Sequence, residues 1–513
     1  MFEINTMEVI TVKKTLSLLI ALLTLANTMM ACADTGANET EKAAPSAAEQ
    51  AAPAGEENET EAETEPEKLE LGLEKGLSYN GYGVTVLTPD AAKNDSFITE
   101  LNGDLVNDAL YQRDRTVEEY LNITITPISY SAEGIDYAKL QNSVTAGDDI
   151  YDFMHLQGST FFANRPTLEK ILLDMSGEAN ITLDSPWWNT DATRELSYNG
   201  KSIKYLIGDI STTSISGASV IFYNKQLFDN IYHDANLPYT DVIEGTWTID
   251  KYGEYCSNAY QDTNGDGKAD IDDFWGTMSN NWLLQSFYNG FSDTRFYSRD
   301  DNGYVQLDVD TDRVVVFAEK LYNLIWNNPG VMLYNNDSWH NSAVLEFSQN
   351  EMLFLAYFLN AIERSEMRSM EADYGILPFF KLDENQAEYR SDLNPSGTRW
   401  ICVPVTCSDS ARTAAVIEAL SYYSFYDVTP VYYEEALKSK YVRDSESGQV
   451  IDMVRDSIKT DYLIGIYRST IGQHFVNNVR DKKQEYVSGW KAAIKPYTKQ
   501  MEKAYSDLDS VSE

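Results

Sequence analysis

One short segment carries oxygen-bearing side chains at the spacing that a calcium ion requires. Residues 262–273 read DTNGDGKADIDD, with side-chain oxygens at loop positions one, three, five, nine and twelve. Calcium takes about six to eight oxygen ligands, and a glycine at position six permits the sharp turn of such loops. Gly267 is that glycine, and the backbone carbonyl of Lys268 supplies position seven. The predicted side-chain ligands are Asp262, Asn264, Asp266, Asp270 and Asp273.

The same segment also fits a polar surface loop held by turns of its Asp and Asn side chains. Asp273 stands where a bidentate Glu is usual in such loops, and its shorter arm leaves bidentate coordination open. A dockerin module would need two such loops, and the sequence has one. We expect a structural ion that fixes the segment after a helix containing Tyr252 and Tyr255, with no catalytic role.

No other pattern of residues predicts a metal centre or catalysis. The four histidines are far apart and show no HxH or HExxH spacing, and the four cysteines form no CxxC pair, so a zinc site is not indicated. The chain has 80 acidic residues, which makes any choice of two as the catalytic pair of a glycoside hydrolase arbitrary. We therefore expect a protein that is not an enzyme.

The composition limits the class of partner. The formal net charge is −40, which disfavours binding to nucleic acid because phosphate contacts need clustered Lys and Arg. With 43% hydrophobic residues in 513, the chain has enough apolar material for two or three folded domains.

The N-terminal residues are typical of an exported lipoprotein. Lys13 and Lys14 precede an apolar run that is short for a membrane span, which predicts a signal peptide over residues 1–31. Ala31 and Cys32 resemble the lipobox of bacterial lipoproteins, in which the cysteine receives the lipid. The alternative is a plain secreted protein with an incidental cysteine. No later segment is long and apolar enough for a transmembrane helix.

An acidic tether follows the predicted lipid anchor. Residues 33–68 contain eleven acidic and two basic residues and are rich in Ala, Thr and Pro. Such a segment lacks the apolar content to fold and repels itself into an extended spacer. We place a flexible tether at residues 32–76.

Short β-branched runs then alternate with amphipathic stretches, which predicts an α/β fold built from βαβ units on parallel sheets. The predicted strands are Val84–Thr88, Ile123–Ile128, Asp152–Leu156, Ile203–Ile207, Ser219–Tyr223, Tyr374–Pro378 and Trp400–Val405. The predicted helices are Gly103–Leu121, Tyr137–Ala146, Asp310–Trp326, Ala343–Leu359 and a C-terminal stretch from about Ala411.

Several phrases in this order resemble the family 1 extracellular solute-binding proteins of ABC importers, the group containing maltodextrin-binding protein. They are TVEEYLNITITP, AGDDIYDFMHL, SVIFYNKQLFDN, GTWTIDKYGEYC, FSQNEMLFLAYFL, EADYGILPFFKLDENQAEYRSD and TRWICVPVT, and together they cover nearly all of residues 80–500. The alginate-binding members of the family also look similar, with one calcium loop inserted in the second lobe.

The resemblance implies a two-lobe, type II periplasmic-binding-protein-like fold that closes on a solute. The chain would cross between lobes near Ser211–Gly217, near Pro378 and near Val403–Thr406. The first lobe would contain residues 77–212 and 379–404, and the second lobe residues 213–378 and 405–505. A ligand that contacts both lobes only in the closed form stabilises that form.

The resemblance also suggests where the solute binds. Aromatic rings stack on sugar faces, and polar side chains bind sugar hydroxyls. For any one aromatic residue, packing in the core is an equally good interpretation. The implied ligand-binding residues are Gln157, Gly158, Thr160, Trp188, Trp282, Tyr357, Phe358, Arg399 and Trp400, and Asn281 and Trp187 lie beside two of them.

The implied function is a substrate-binding lipoprotein that captures a carbohydrate, an oligosaccharide in our interpretation, and delivers it to permease subunits at the outer face of the bacterial cytoplasmic membrane. We expect a monomer. A secreted glycan-active hydrolase and a calcium-dependent surface adhesin remain as alternatives. Cys256, Cys402 and Cys407 are expected as buried free thiols, since a pair between Cys402 and Cys407 would need a tight turn.

Overall fold

The computed structural model describes residues 68–89, 96–130, 137–158, 168–279, 293–294, 296–334, 339–394, 398–433, 445–459 and 477–509. The predicted signal peptide, Cys32 and the tether up to residue 67 lie outside the described residues. Everything below concerns the compact unit that begins at Lys68.

The first half of that unit alternates strands and helices, as the sequence predicts. The elements are β1 (Tyr82–Pro89), α1 (Leu105–Leu121), β2 (Ile123–Tyr130), α2 (Tyr137–Thr145), β3 (Phe153–Gln157), α3 (Thr190–Glu195), α4 (Thr213–Ser216) and β4 (Ser219–Asn224). Residues 203–207, predicted as a strand, pair only through a bridge between Leu206 and Ile401.

The second half begins with three helices, α5 (Lys225–Tyr232), α6 (Leu237–Glu244) and α7 (Ile249–Ala259). It continues with β5 (Trp275–Ser279), β6 (Tyr297–Arg299), β7 (Val305–Leu307), α8 (Thr311–Tyr322), β8 (Val331–Leu333), α9 (Trp339–Ser348), β9 (Met352–Phe358), α10 (Ser365–Ser369), β10 (Tyr374–Leu377), β11 (Ser391–Asp392), β12 (Arg399–Cys402), α11 (Ser410–Tyr423), α12 (Thr429–Val431), α13 (Ser445–Ser457), β13 (Ile458–Lys459) and α14 (Tyr486–Asp509).

Two sheets organise these elements into two lobes. The first sheet has the order β12-β3-β1-β2, with β1 parallel to β2 and β3 and with β12 antiparallel to β3. The second sheet has the order β10-β4-β9-β5-β8. Helices α1 and α2 connect the three parallel strands of the first sheet, as expected when strands and helices alternate in the sequence.

The predicted helix over 343–359 is wrong in its second half. Helix α9 ends at Ser348, and β9 follows as a strand between β4 and β5 in the second sheet. Every residue of β9 is buried. A strand that is buried on both faces shows a continuous apolar run, which periodicity alone does not distinguish from a buried helix.

The C-terminal helix α11 packs on the first sheet. Its residues Ala414 and Ile417 belong to the same apolar cluster as Val84 of β1 and Phe153 of β3. The prediction assigned residues 405–505 to the second lobe, so its first part needs correction. Helix α13 packs on α6 and β10 of the second lobe. The third crossing between lobes therefore lies after α11, not at Val403–Thr406.

The second crossing also lies later than predicted. Residues after Pro378 remain with the second lobe, where the ring centroid of Phe380 lies 4.9 Å from that of Tyr252 and the Tyr389 hydroxyl donates to the Val242 carbonyl at 3.0 Å. Leu393 then pairs with Ala218 beside α4, and β12 joins the first sheet at Arg399. The crossing falls between Leu393 and Arg399 instead of at Pro378.

The predicted tether is shorter than 32–76 at its C-terminal end. The Leu69 backbone donates to the Tyr426 hydroxyl at 2.9 Å and accepts from the Tyr422 hydroxyl at 2.9 Å. Leu73 is buried in the apolar cluster of the first lobe. Residues 68–76 are therefore part of the folded body.

A buried guanidinium joins four segments of the first lobe. Arg113 of α1 pairs with Asp114, with 2.7 Å between Nη2 and Oδ1. The same guanidinium donates to the Ile210 carbonyl at 2.8 Å, to the Ser424 hydroxyl at 2.9 Å and to the Ser96 carbonyl. Burial raises the pKa of Asp114, and the adjacent Arg113 opposes that rise.

Two further observations complete the fold. Among the described residues, no helix is long and apolar enough to cross a bilayer. Cys256 and Cys402 are buried free thiols, as expected, while Cys407 is only half-buried and its sulfur lies 3.2 Å from the Thr413 hydroxyl.

We expect Arg113→Ala to lower the free energy of unfolding by about 3 kcal/mol or more, because it leaves a buried carboxyl, two carbonyls and a hydroxyl without their donor. Arg115→Ala on the same helix is the control, since Arg115 is half-exposed and contacts Glu118 in an ion pair and the face of the Tyr111 ring; an exposed ion pair is worth about 0.5 kcal/mol. Urea denaturation of both variants measures the difference. Equal losses would contradict the role given to Arg113.

Candidate functional site

The carboxyl ends of the three parallel strands of the first sheet meet at one edge. β1, β2 and β3 end there at Pro89, Tyr130 and Gln157. β12 runs the other way and begins at the same edge, where Arg399 pairs with Gln157. In open α/β sheets, ligands bind outside this edge. We therefore define this edge as the first-lobe part of the candidate site.

Three predicted site residues are held at this edge by hydrogen bonds that their backbone amides donate. The Gln157 amide donates to the Tyr130 hydroxyl at 3.2 Å, and the Gly158 amide donates to the Thr398 carbonyl at 2.9 Å. The Arg399 amide donates to the Thr213 hydroxyl at 3.1 Å, which attaches the edge to α4 at the first crossing. Gln157, Gly158 and Arg399, which the resemblance suggested as site residues, therefore lie together at this edge. Tyr130 was missed, because its position at the end of an exposed strand face gives no distinct sequence signal.

The second lobe contributes the end of β9. Phe358 pairs with Ser219, and the next amide, of Leu359, donates to the Ala218 carbonyl at 2.8 Å. Tyr357 and Phe358 therefore lie beside the first crossing, but they are only 8% and 6% exposed. Burial raises the pKa of the Tyr357 hydroxyl, and the nearby Arg364 opposes that rise. At this exposure the two rings are mostly packed and do not form an open stacking platform.

Two predicted tryptophans lie in the core and need correction. Trp400 is 2% exposed, with its ring centroid 5.3 Å from that of Tyr205. Trp188 is 5% exposed, and its indole nitrogen donates to Glu418 at 3.0 Å. Trp187 donates to the same carboxylate at 3.0 Å. Each ring is therefore mostly packed inside the first lobe and exposes too little of its face to stack on a sugar in this arrangement.

Three other candidates lie outside the described residues. They are Thr160 in the segment after β3, and Asn281 and Trp282 in the segment after β5. Both segments follow strands whose carboxyl ends point to the site, since β5 runs parallel to β9. The role of these residues stays a prediction.

A cavity of about 370 Å³ lies beside the first crossing. It is lined from the first lobe by Trp188 and Asp209, from α4 by Ser214, and from α13 by Arg455. The Thr429 hydroxyl donates to the Asp209 carboxylate at 2.8 Å. Burial raises the pKa of Asp209 to about 7, against which this hydrogen bond and Arg455 act. Sequence reasoning missed this group, because its partners are more than two hundred residues away in the chain.

The predicted calcium loop connects α7 to β5 and has the turn that such loops need. Gly265 and Gly267 have positive φ angles of 71° and 74°. The Asp262 carboxylate accepts from the amides of both glycines, at 2.7 Å and 3.0 Å. At the other end of the loop, Asp273 accepts from the amides of Thr263 and Asp270 at 3.3 Å and 3.2 Å.

The carboxylates of this loop accept hydrogen bonds from its own backbone, from Lys268 and from the Tyr260 hydroxyl. Asp266 accepts from the Lys268 amide at 2.8 Å and from its ammonium at 3.0 Å. Among the described residues, no three His, Cys, Asp or Glu side chains are gathered closely enough to hold a metal ion. The donor types and the turn fit calcium, and binding would require these carboxylates to rotate inward. The calcium site stays a prediction.

Comparison with solved structures gives the fold an independent reference. The ABC transporter associated binding protein from B. animalis subsp. lactis Bl-04, solved in complex with β-1,6-galactobiose, has a TM-score of 0.51 and 15% identity, with 82% of this chain and 98% of that chain covered. This likeness confirms the predicted two-lobe α/β fold.

Two more structures are found with lower scores. An extracellular solute-binding protein from Staphylococcus aureus in complex with maltose has 11% identity and a TM-score of 0.49, with 84% of this chain and 98% of that chain covered. A family 1 extracellular solute-binding protein from Alicyclobacillus acidocaldarius has 13% identity and a TM-score of 0.48, with 85% and 100% covered. No family model matches the chain, and no curated protein matches it.

We expect Asp209 to make the protein less stable as the pH rises from about 4 to about 7. Its folded pKa of about 7 lies above the ordinary 3.8, so in this window the folded state holds a proton that the unfolded chain releases. Asp209→Asn should therefore show a smaller loss of unfolding free energy between about pH 5 and pH 8 than the wild type. Urea denaturation at both pH values measures this.

Asp174→Asn is the control for that experiment. Burial alone would raise the pKa of Asp174, but hydrogen bonds from Ser176, Ser202 and the Ile203 amide lower it below its ordinary value. Its contribution is complete above about pH 4 and is lost only in stronger acid. This variant should therefore keep the wild-type difference between the two pH values. A wild-type difference in Asp209→Asn would disprove the assignment.

Proposed function

We propose that this protein is the substrate-binding lipoprotein of an ABC transporter, which captures a carbohydrate and delivers it to a membrane permease. The observation that carries the proposal is the placement of Gln157, Gly158 and Arg399 at the carboxyl edge of the first sheet, where the Arg399 backbone amide donates to Thr213 at the first crossing. A solute at this edge contacts the residues about which the lobes would rotate. The neighbour with the same fold was solved with a galactobiose, which supports a saccharide of two or more units.

The described polar groups suit hydroxyl-rich ligands. Gln157 carries an amide and Arg399 a guanidinium, which are side-chain types that bind sugar hydroxyls, while the largely buried Tyr357 and Phe358 lie beside the first crossing. None of these groups is a nucleophile activated by a base, so the proposed activity is capture and release without covalent chemistry. Closure then follows from the higher affinity of the closed form for the solute.

The remaining parts of the proposal concern anchoring and partners. Lipidation of Cys32 would hold the protein at the outer face of the cytoplasmic membrane, with the acidic segment as a spacer. The partners would be the permease subunits, and the protein would act as a monomer without nucleic acid. A glycan-active hydrolase and a calcium-dependent adhesin are the alternatives that the binding experiment must separate.

Calcium would act as a structural ion in the loop from Asp262 to Asp273. The base of the loop is closed by paired hydrogen bonds between Gln261 and Phe274, at 3.0 Å each. Just beyond it, the rings of Tyr260 and Trp275 lie 4.9 Å apart, and the Trp275 indole nitrogen donates to the Asp270 carbonyl. An ion here would therefore fix the entry to β5 in the second sheet.

The proposed function is tested by a thermal-shift screen of the full chain against a panel of oligosaccharides, followed by calorimetry and product analysis. A bound solute at about 100 times its Kd adds about 2.7 kcal/mol of stability. One saccharide that raises Tm and is recovered intact is the expected result. Cleavage of that saccharide would favour the hydrolase, and no shift with any saccharide would overturn the carbohydrate proposal.

For the saccharide so identified, we expect Gln157→Ala to weaken binding about tenfold, which corresponds to the loss of roughly one well-formed hydrogen bond. Gln226→Ala is the matched control, because Gln226 is exposed on α5, outside the residues assigned to the site. Isothermal titration calorimetry compares the two Kd values. An unchanged Kd for Gln157→Ala would remove this residue from the site.

Calcium should raise the Tm of the wild-type chain, and the double substitution Asp262→Asn with Asp266→Asn should abolish that rise, because it removes two anionic ligands. Asp272→Asn is the matched control, since Asp272 is an exposed carboxylate in the same loop at a position without a ligand role. Differential scanning calorimetry with calcium and with chelator makes the comparison. A rise that persists in the double variant would place calcium elsewhere.

A further inference from the structure

A β-hairpin of the second lobe contacts the first lobe at a place away from the three crossings. The hairpin consists of β6 and β7, paired from Tyr297 opposite Leu307 to Arg299 opposite Val305. It lies in the chain between β5 and α8, both of which belong to the second lobe. Its contacts are with the segment from Glu195 to Gly200, at the end of α3.

That segment is fixed to the first lobe. The Ile207 amide donates to the Thr193 hydroxyl of α3 at 3.1 Å. The adjacent Leu206 pairs with Ile401 of β12. A contact made by residues 195–200 is therefore a contact to the first lobe.

Arg299 makes the central contact. One of its guanidinium nitrogens, Nη2, donates to the Glu195 carbonyl at 2.8 Å and to the Ser197 carbonyl at 3.1 Å. The other, Nη1, donates to the Gly303 carbonyl of its own hairpin turn at 2.8 Å. The side chain is only 23% exposed, so water has limited access to these bonds. One guanidinium thus joins the turn of the hairpin to two carbonyls of the first lobe.

Aromatic residues extend the contact on both sides of Arg299. The Tyr297 hydroxyl donates to the Glu195 carboxylate, and the ring centroids of Tyr198 and Tyr304 are 5.9 Å apart. At the turn, Gly303 has a φ of 91°, and a Cβ there would lie 2.0 Å from the Asn199 carbonyl oxygen. Only glycine allows the two backbones to approach this closely.

The hairpin is also held on the side of the second lobe. The Tyr505 hydroxyl of α14 donates to the Val305 carbonyl at 3.0 Å, and the ring centroids of Tyr304 and Tyr505 are 5.2 Å apart. Helix α14 packs in turn on α8. The hairpin thereby contacts both lobes: residues 195–200 of the first lobe and α14 of the second lobe.

We propose that the β6–β7 hairpin is an interlobe clasp, which fixes the angle between the lobes in the absence of any solute. Rotation about the crossings must either break the contacts of Arg299 and Tyr297 with Glu195–Gly200 or pull the hairpin from α14. The clasp therefore narrows the range of lobe angles that the free protein samples. Solute binding that changes this angle must also supply the free energy to release the clasp.

The test measures the distance between the lobes in the free protein. Spin labels are placed on cysteines introduced at Glu119 of α1 and Glu244 of α6, both exposed, in the full chain with its native cysteines replaced by alanine. Double electron–electron resonance should give one narrow distance distribution. The double substitution Arg299→Ala with Tyr297→Phe should broaden it about twofold or shift its mean, because the lobes then sample more angles.

Arg313→Ala is the matched control. Arg313 has a similar exposure of 20% but pairs with Asp293 and Asp383 inside the second lobe, so its loss should leave the distribution narrow. The single substitution Tyr297→Phe, which removes one hydroxyl, provides a milder variant if the double variant does not fold by circular dichroism.

The clasp would be overturned if the distance distribution were unchanged in the folded double variant Arg299→Ala with Tyr297→Phe. It would also be overturned if the wild-type distribution were already as broad as that of this variant. Since no saccharide is present, this result is independent of whether the proposed function holds.

Discussion

The first lobe depends on a single buried guanidinium. Arg113 satisfies the carbonyls of Ser96 and Ile210 and the hydroxyl of Ser424, which belong to the segment after β1, the approach to the first crossing and the exit from α11. A buried charge is tolerated only where its hydrogen-bond donors are satisfied. Here the donors of Arg113 are satisfied by acceptors from different segments of the chain. The same side chain therefore connects the segment after β1, the start of the first crossing and the end of α11.

A second buried charged group in the first lobe is the carboxylate of Glu418 on α11. Glu418 accepts from Trp187 and Trp188 and from the Thr182 amide. Burial raises the pKa of Glu418, and these hydrogen bonds oppose that rise. The two tryptophans were predicted near the solute on the strength of their type. Their position is decided instead by a glutamate more than two hundred residues later, which no local pattern reveals.

The sequence predicted the elements better than their long-range arrangement. β1, β2, β3, β4, β10 and β12 were recognised from apolar runs with turn residues at their ends, and α1 from its spacing. The strand β9 was missed because a strand buried on both faces has no alternation. The second and third crossings were misplaced because residues 379–393 and α11 are held by contacts with distant partners, such as Tyr389 with Val242. Of the site, the residues at strand ends came from the resemblance, whereas Tyr130 and Asp209 became visible only in the structure.

The thiols of the folded body have a consequence for the surroundings in which it can exist. Burial raises the pKa of Cys256, Cys402 and Cys407, so each stays protonated and reacts slowly with oxidants or disulfides. No disulfide links these three cysteines. The described fold therefore contains no cross-link among these cysteines that a reducing environment could break.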